Sequence, residues 1–342
     1  MKTHQVQQKT ERRISAALRL VFVAALLLGQ IALAFFLSTE LRQRAAIIYT
    51  VLELAAFGYA VRIYNRTDGA SYKFGWIFLV LTVPVVGLIL YFLWNGDRQQ
   101  KRLDLKKLPM PEEPEAQQAA HRIQMEKLRR KFPQWERLSV YLSRQGYLLY
   151  GDTETTYLPT GEAFLQDMLE KLEQAEHFIF LEFFIIAQGQ IWDRMEEIFR
   201  RKAAEGVEVK IIFDDFGSMM RFPAGQIEAL RESGVEVQVF NPVHHYVNRL
   251  YFNYRDHRKI VCIDGSTAYT GGANVADEYA NLTVRFGYWK DCGIRLDGPG
   301  AWGLTREFLH MWQRNGGQLM QERDYYRPHD HREAAGFCQP FV

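Results

Sequence analysis

Residues 257–264 read His257-Arg258-Lys259-Ile260-Val261-Cys262-Ile263-Asp264, and after a six-residue gap residues 271–274 read Gly271-Gly272-Ala273-Asn274. The apolar, partly β-branched run from Lys259 to Ile263 has the composition of a short buried strand. Side chains two apart on a strand share a face, so His257 and Lys259 are expected to project together. Gly265-Ser266 reverses the chain, and the strand from Thr267 to Thr270 brings Asn274 back toward them. Gly271 and Gly272 would allow close approach of the backbone to a ligand. An imidazole with a near-neutral pKa can attack phosphorus. A lysine ammonium neutralises non-bridging oxygens as charge moves in the transition state, and an asparagine amide adds a neutral donor. The set reads as phosphate-handling and calls for no metal and no cofactor. A lone His-x-Lys reads as a solvent-facing pair; it is the full spacing of polar and glycine positions that favours chemistry.

Around this centre the pattern alternates. Strands are expected over Phe178 to Ile186, Val207 to Phe213, Val235 to Phe240 and Cys292 to Leu296. Helices are expected over Ile191 to Ala204, Ala224 to Ser233 and Gly300 to Arg314, each followed closely by glycine, a common helix terminator. Such alternation predicts an α/β layer sandwich with both sheet faces covered. No GKS or GKT phosphate loop, no GxGxxG after a strand and no HExxH is present.

The chain has 342 residues, 3 cysteines and a net charge of +2. That length suits about two domains. Three cysteines cannot make a disulfide framework, and their spacing is wrong for a Cys-x-x-Cys zinc site. The near-zero charge gives no global electrostatic case for nucleic acid.

The apolar residues are unevenly spread. Leu20 to Leu37 and Phe74 to Trp94 carry no charge, and Ala45 to Val61 is apolar apart from Glu53. Two of these runs meet the length of about 20 residues that a membrane span needs. The middle run is open between a third span, a re-entrant helix and a packed hairpin partner. A cleaved signal peptide is the competing reading of the first run, disfavoured because the apolar stretch outlasts an ordinary h-region. Basic residues flank the region on both sides, which favours two crossings and a cytoplasmic catalytic part. The expected organisation is a transmembrane anchor over 1–96, a Pro-rich linker and polar helix over 97–146, and a catalytic part over 147–342.

HRKIVCID with TGGAN, then Asp277-Glu278-Tyr279 and Gly287-Tyr288-Trp289-Lys290-Asp291, resembles the phospholipase D superfamily and, more closely, bacterial cardiolipin synthases. The stretch Gly75-Trp76-Ile77 with Pro84 and Gly87 resembles their membrane region, and Asp214-Asp215-Phe216-Gly217 is similar too. Gly272 stands where many members have Ser. The resemblance implies a phospholipase D-like α/β/α sandwich behind an N-terminal transmembrane helical region, in a bacterial inner membrane. It implies His257 as phosphohistidine-forming nucleophile or its general-acid partner, and Lys259 and Asn274, with Gly271 and Gly272, on the phosphate oxygens. Asp264 completes the motif by fixing local geometry. Asp291 would orient a catalytic histidine as a triad carboxylate does; a surface carboxylate is the alternative. Glu182, inside an apolar strand, is open between lining the site and a structural hydrogen bond. His244-His245 reads as a surface turn, or as the substrate entrance.

The superfamily chemistry uses two His-x-Lys motifs, and of the nine histidines only His257 is followed by lysine two positions on. The expected partners are therefore phosphatidylglycerol, other membrane lipids and a second HKD half. That half is supplied by a missing C-terminal portion or by a second copy. The leading function is conversion of two phosphatidylglycerols to cardiolipin and glycerol. A membrane-tethered phosphodiesterase or nuclease acting as a homodimer, and an inactive fragment, are the alternatives; no basic stripe supports nucleic acid.

Overall fold

The structure, a computed structural model, describes residues 42–66, 70–94, 115–242, 255–285, 287–318, 321–326 and 334–342, with isolated positions between 24 and 35. These fall into two compact units, one made by the residues up to 94 and the other from 115 onward. His244 and His245 lie outside the described residues.

The first unit contains helices α1 (Arg42–Tyr64), α2 (Ala70–Thr82) and α3 (Pro84–Trp94). Phe74 to Trp94, expected as one uninterrupted span, is instead two helices that meet at Val83. Pro84 has no N–H to continue α2 and takes the first position of α3, where none is needed. The two helices fold back on each other closely enough that a Cβ at Gly87 would stand 2.5 Å from the Leu79 carbonyl oxygen. Trp76, Val80, Leu90 and Tyr91 fill the seam, with Trp76 and Tyr91 edge-to-face at 5.5 Å. Among the described residues no helix is long and apolar enough to cross a membrane. The expected run Ala45 to Val61 lies within α1, and Leu20 to Leu37 lies mostly outside the described residues.

The second unit is built on a seven-stranded sheet of order β1-β7-β6-β5-β2-β3-β4. Its strands are β1 (Glu154–Leu158), β2 (Phe178–Phe183), β3 (Glu208–Asp214), β4 (Glu236–Phe240), β5 (Lys259–Ile263), β6 (Thr267–Gly271) and β7 (Gly293–Asp297). Every residue of β2 is buried, as a strand covered on both faces requires. The expected alternation with helices holds for β2, β3 and β4, which run parallel. The other strand pairs are antiparallel, so the sheet is mixed.

Helices α4 (Glu115–Lys131) and α5 (Glu136–Arg144) precede the sheet. The polar helix expected within 97–146 is divided at Pro133, which opens a 3-10 turn at Pro133–Trp135. Both helices dock on the sheet unit rather than standing apart as a linker. The Trp302 indole N–H donates to Gln117 at 3.1 Å, and the Ser139 hydroxyl donates to Gln339 at 2.7 Å.

One face of the sheet packs under α6 (Gly161–Leu172), α7 (Gln190–Ala204) and α9 (Ala224–Glu232), which follows the one-turn helix α8 (Asp215–Ser218). On α7, Ile191, Trp192, Met195, Ile198 and Phe199 are buried, the spacing of one helical stripe. The other face packs under α10 (Gly300–Arg314) through Trp302, Phe308 and Trp312. The result is an α/β/α sandwich.

Candidate active site

Strand β5 sits between β2 and β6. Asp264 and Gly265 have φ of 51° and 68°, the two positive values a tight hairpin turn needs. That turn fixes Ile263 opposite Thr267 and Ile260 opposite Thr270. On the other side Phe183 of β2 pairs with Lys259. Val261 and Ile263 pack in the layer under α6 and α7, so strand alternation puts Lys259 on that side and Arg258 on the α10 side.

His257 and Lys259 do meet. The Lys259 ammonium lies 3.1 Å from His257 Nδ1 and donates to the His257 carbonyl at 2.7 Å. Phe184, just past β2, covers both: its ring centre is 4.9 Å from the imidazole and 5.7 Å from Lys259 Nζ. Burial lowers the His257 pKa below the ordinary value, the Lys259 charge lowers it further, and Asp256 opposes both. Burial also brings Lys259 down to about 8, with Asp256 and Asp291 pulling the other way. The site therefore holds a ring biased toward its neutral, nucleophilic form beside a cation that titrates not far above neutrality.

Asn274 is buried and tightly held. Its Oδ1 accepts from the Ile185 N–H at 3.0 Å and its Nδ2 donates to the Tyr279 hydroxyl at 2.9 Å. The first bond fixes the amide orientation and ties Asn274 to the chain immediately after Phe184. An amide nitrogen has two hydrogens, so the Tyr279 contact uses one of them.

Gly271 and Gly272 serve protein contacts rather than open space. A Cβ at Gly271 would lie 2.7 Å from the Cys292 carbonyl oxygen, and one at Gly272 would collide with Asp291 Oδ1. Among the described residues no hydrogen bond joins Asp291 to His257; the Asp291 Oδ1 accepts from the Cys292 N–H at 2.8 Å. Its influence falls on Lys259.

Asp264 stands at the opposite end of β5 from His257. Five residues of strand at about 3.3 Å each separate Lys259 from it by roughly 16 Å. Its carboxylate accepts from the N–H groups of Glu176, His177 and Phe178 at 2.7–2.9 Å, pinning the entry to β2. Glu182 likewise faces away from His257. It is fully buried and paired at 2.5 Å with Arg258, which also binds Asp256 at 3.1 Å. Burial raises its pKa well above the ordinary carboxylate value, Arg258 opposes this, and Asp256 adds to it.

Several residues quoted above for the resemblance, without a role, support the site. The Asp214 carboxylate accepts from the N–H groups of Phe216, Gly217 and Asp256 at 2.8–3.2 Å and pairs with Arg255. It thereby binds the segment leading to His257 to the end of β3. Asp277 accepts from the N–H groups of Gln190 and Ile191 at 3.0 Å, capping α7. Glu278 pairs with Arg221 at 2.6 Å. The Asp-Glu-Tyr run is thus a frame for Asn274. The legible signal was its density of hydrogen-bonding side chains in a segment with no periodic pattern.

A cavity of about 560 Å³ is lined by His257, Arg258 and Lys259, with Gly272, Ile294, Leu304 and Phe341 among its other walls. Its volume lies in the range of small-molecule sites.

A family model described as "Cardiolipin synthase, PLD-like domain" matches residues 168–284, and one described as "Phospholipase D-nuclease N-terminal" matches residues 54–95. The chain is 31% identical to cardiolipin synthase 2 of Bacillus anthracis over 273 residues, which is 80% of this chain and 53% of that protein. It is 30% identical to the major cardiolipin synthase ClsA of Bacillus subtilis over 265 residues, 73% of this chain and 53% of that protein. The chain spans about half the length of the curated relatives it matches. Among solved structures, NucT from Helicobacter pylori aligns with 47% of this chain and 97% of its own, at 11% identity and a TM-score of 0.37.

Proposed function

Because the chain belongs to the phospholipase D superfamily and is of the cardiolipin synthase kind, we propose that it supplies one catalytic half of a metal-free phosphatidyltransferase. Its substrate is phosphatidylglycerol. The unprotonated imidazole nitrogen of His257 attacks phosphorus and the bond to the glycerol headgroup breaks. The leaving oxygen takes its proton from a histidine of a second HKD half, which this sequence does not contain. A hydroxyl of a second phosphatidylglycerol returns its proton to that histidine and attacks the phosphohistidine. Cardiolipin forms, glycerol has left, and His257 is restored. Lys259 holds the non-bridging oxygens and Asn274 adds a neutral donor.

The observation that carries this reading is the 3.1 Å contact between His257 and Lys259 in the wall of a largely apolar cavity. A membrane setting is supported by the first unit, whose outer surfaces expose Ile47, Leu54, Phe57, Phe74, Phe78 and Phe92. Helices apolar on their outer as well as inner faces suit a lipid surrounding.

The test incubates membranes holding the full chain with labelled phosphatidylglycerol, with and without the C-terminal half of a cardiolipin synthase. Cardiolipin on lipid chromatography and a labelled His257, both lost in His257→Ala, are expected. Plasmid cleavage without new lipid would replace this reading with the phosphodiesterase one.

A further inference from the structure

The cavity at His257 has a neighbour. Gln339 and Phe341 line it and also line a second cavity of about 380 Å³. The second is walled by Leu128, Phe132, Trp135, Leu138, Leu142 and Phe337, where α4, the 3-10 turn and α5 meet the segment 337–341. Phe132 and Phe337 pack edge-to-face at 6.1 Å. Its polar wall groups are turned to one another. Ser139 donates to Gln339 Oε1 at 2.7 Å, and Gln339 Nε2 donates to the Tyr147 carbonyl at 2.8 Å. What faces the space is therefore hydrocarbon. At its mouth Trp135 and Leu138 are 56% and 51% exposed, a costly arrangement in water and a natural one at a lipid boundary. Lys131 lies 5.5 Å over the Phe132 ring, which sets a cation on the rim.

We propose that this second cavity is an acyl-chain slot for the phospholipid whose phosphate sits at His257 and Lys259. The assignment rests on the phosphatidyl-transfer reading. A diacyl phosphodiester needs a cationic phosphate site with an apolar space beside it. Gln339 and Phe341, which wall both cavities, set the two side by side. Trp135 and Tyr141 have the apolar body and polar tip that suit a membrane–water boundary, and Lys131 complements an anionic headgroup. The slot thus favours a long-chain lipid over a soluble phosphodiester of the same headgroup.

The test uses the full chain reconstituted in phosphatidylglycerol vesicles doped with a phosphatidylglycerol bearing a diazirine at the end of one acyl chain. After irradiation, peptide mapping should place the label on residues 128–142 and 337–341. Leu138→Trp fills the slot from an exposed position and is compatible with folding. It should cut labelling about tenfold, the loss of roughly two buried methylenes, with the thermal transition unchanged. His257→Ala should label like the parent, since the slot needs no chemistry. Label confined to residues 42–94, or insensitive to Leu138→Trp, overturns the slot, as does a chain-to-chain cross-link in its place. Cardiolipin is measured in the same samples. Label in the slot without cardiolipin refutes the transfer reading alone; cardiolipin without label in the slot refutes the slot alone.

Discussion

The Lys259 ammonium occupies Nδ1 of His257 at 3.1 Å while also donating to the His257 carbonyl at 2.7 Å. An ammonium only donates, so with Lys259 charged this contact is a hydrogen bond only in the tautomer that has its lone pair on Nδ1 and its proton on Nε2. A phosphate that draws Lys259 toward its own oxygens releases Nδ1 and lets the ring take the other tautomer, with its lone pair on Nε2. The same cation lowers the His257 pKa, second only to burial. Lys259→Met, which keeps the stem and removes the charge, should therefore raise it. NMR titration of the imidazole protons reads this directly. An unchanged or lower value in the variant would mean that the contact is absent in solution.

The acid–base chemistry should also show an alkaline limit. Lys259 titrates near 8 because burial disfavours its charged form. As pH rises through that value the ammonium is lost, and with it the stabilisation of phosphate oxygens. With a complementing half supplied, kcat/KM should fall above about pH 8, since kcat/KM reports groups of the free enzyme. Lys259→Arg keeps its charge throughout this range. In any residual activity it shows, that limb should be missing. A limb that persists in the arginine variant would assign it to another group.

The hairpin, read one residue late at Gly265-Ser266, and the shared face of His257 and Lys259 were legible because both are short-range. A period of two and a turn of two residues are written in adjacent letters. The part played by Asp264 was not, since its N–H partners lie 86–88 residues earlier. Nor was the role of the two glycines, whose neighbours Cys292 and Asp291 come from the lead-in to β7. β1 went unread because Glu154-Thr155-Thr156-Tyr157-Leu158 buries only its last residue, leaving no apolar pattern to detect. The break in Phe74 to Trp94 was available in Pro84, and hydropathy outweighed it.

Asp264 and His257 should separate stability from chemistry. Asp264→Ala leaves three N–H groups at the start of β2 without their acceptor. Bonds to a charged group contribute about 1.5–3 kcal/mol each and do not add fully, so a loss of roughly 2–4 kcal/mol is expected. His257 is exposed, and His257→Ala should shift the melting temperature little while abolishing phosphohistidine. Thermal unfolding in detergent, paired with label trapping per folded molecule, gives both numbers. If Asp264→Ala melts like the parent yet traps no label, Asp264 acts in the chemistry instead.

Arg258, which also lines the cavity, should be the costliest side chain to remove near the site. It is the cation for Glu182 at 2.5 Å and Asp256 at 3.1 Å, with Glu307 at 3.9 Å. Arg258→Met leaves these carboxyls buried together without a counter-charge, which costs about 3–5 kcal/mol in comparable cases. The deficit should depend on pH with a definite sign. The folded-state pKa of Glu182 lies well above its unfolded value of 4.5 because burial penalises its charge. A raised pKa contributes stability that is present below the unfolded value and is lost as pH rises through the folded one. Without Arg258 that pKa rises further, so the variant should lose ground against the parent between acid and neutral pH. Adding Glu182→Gln, which removes the titrating proton but keeps the shape, should flatten the pH dependence and recover part of the stability. Denaturant unfolding at about pH 5 and about pH 7.5 decides the matter: an equal deficit at both would show that the cluster does not trade a proton.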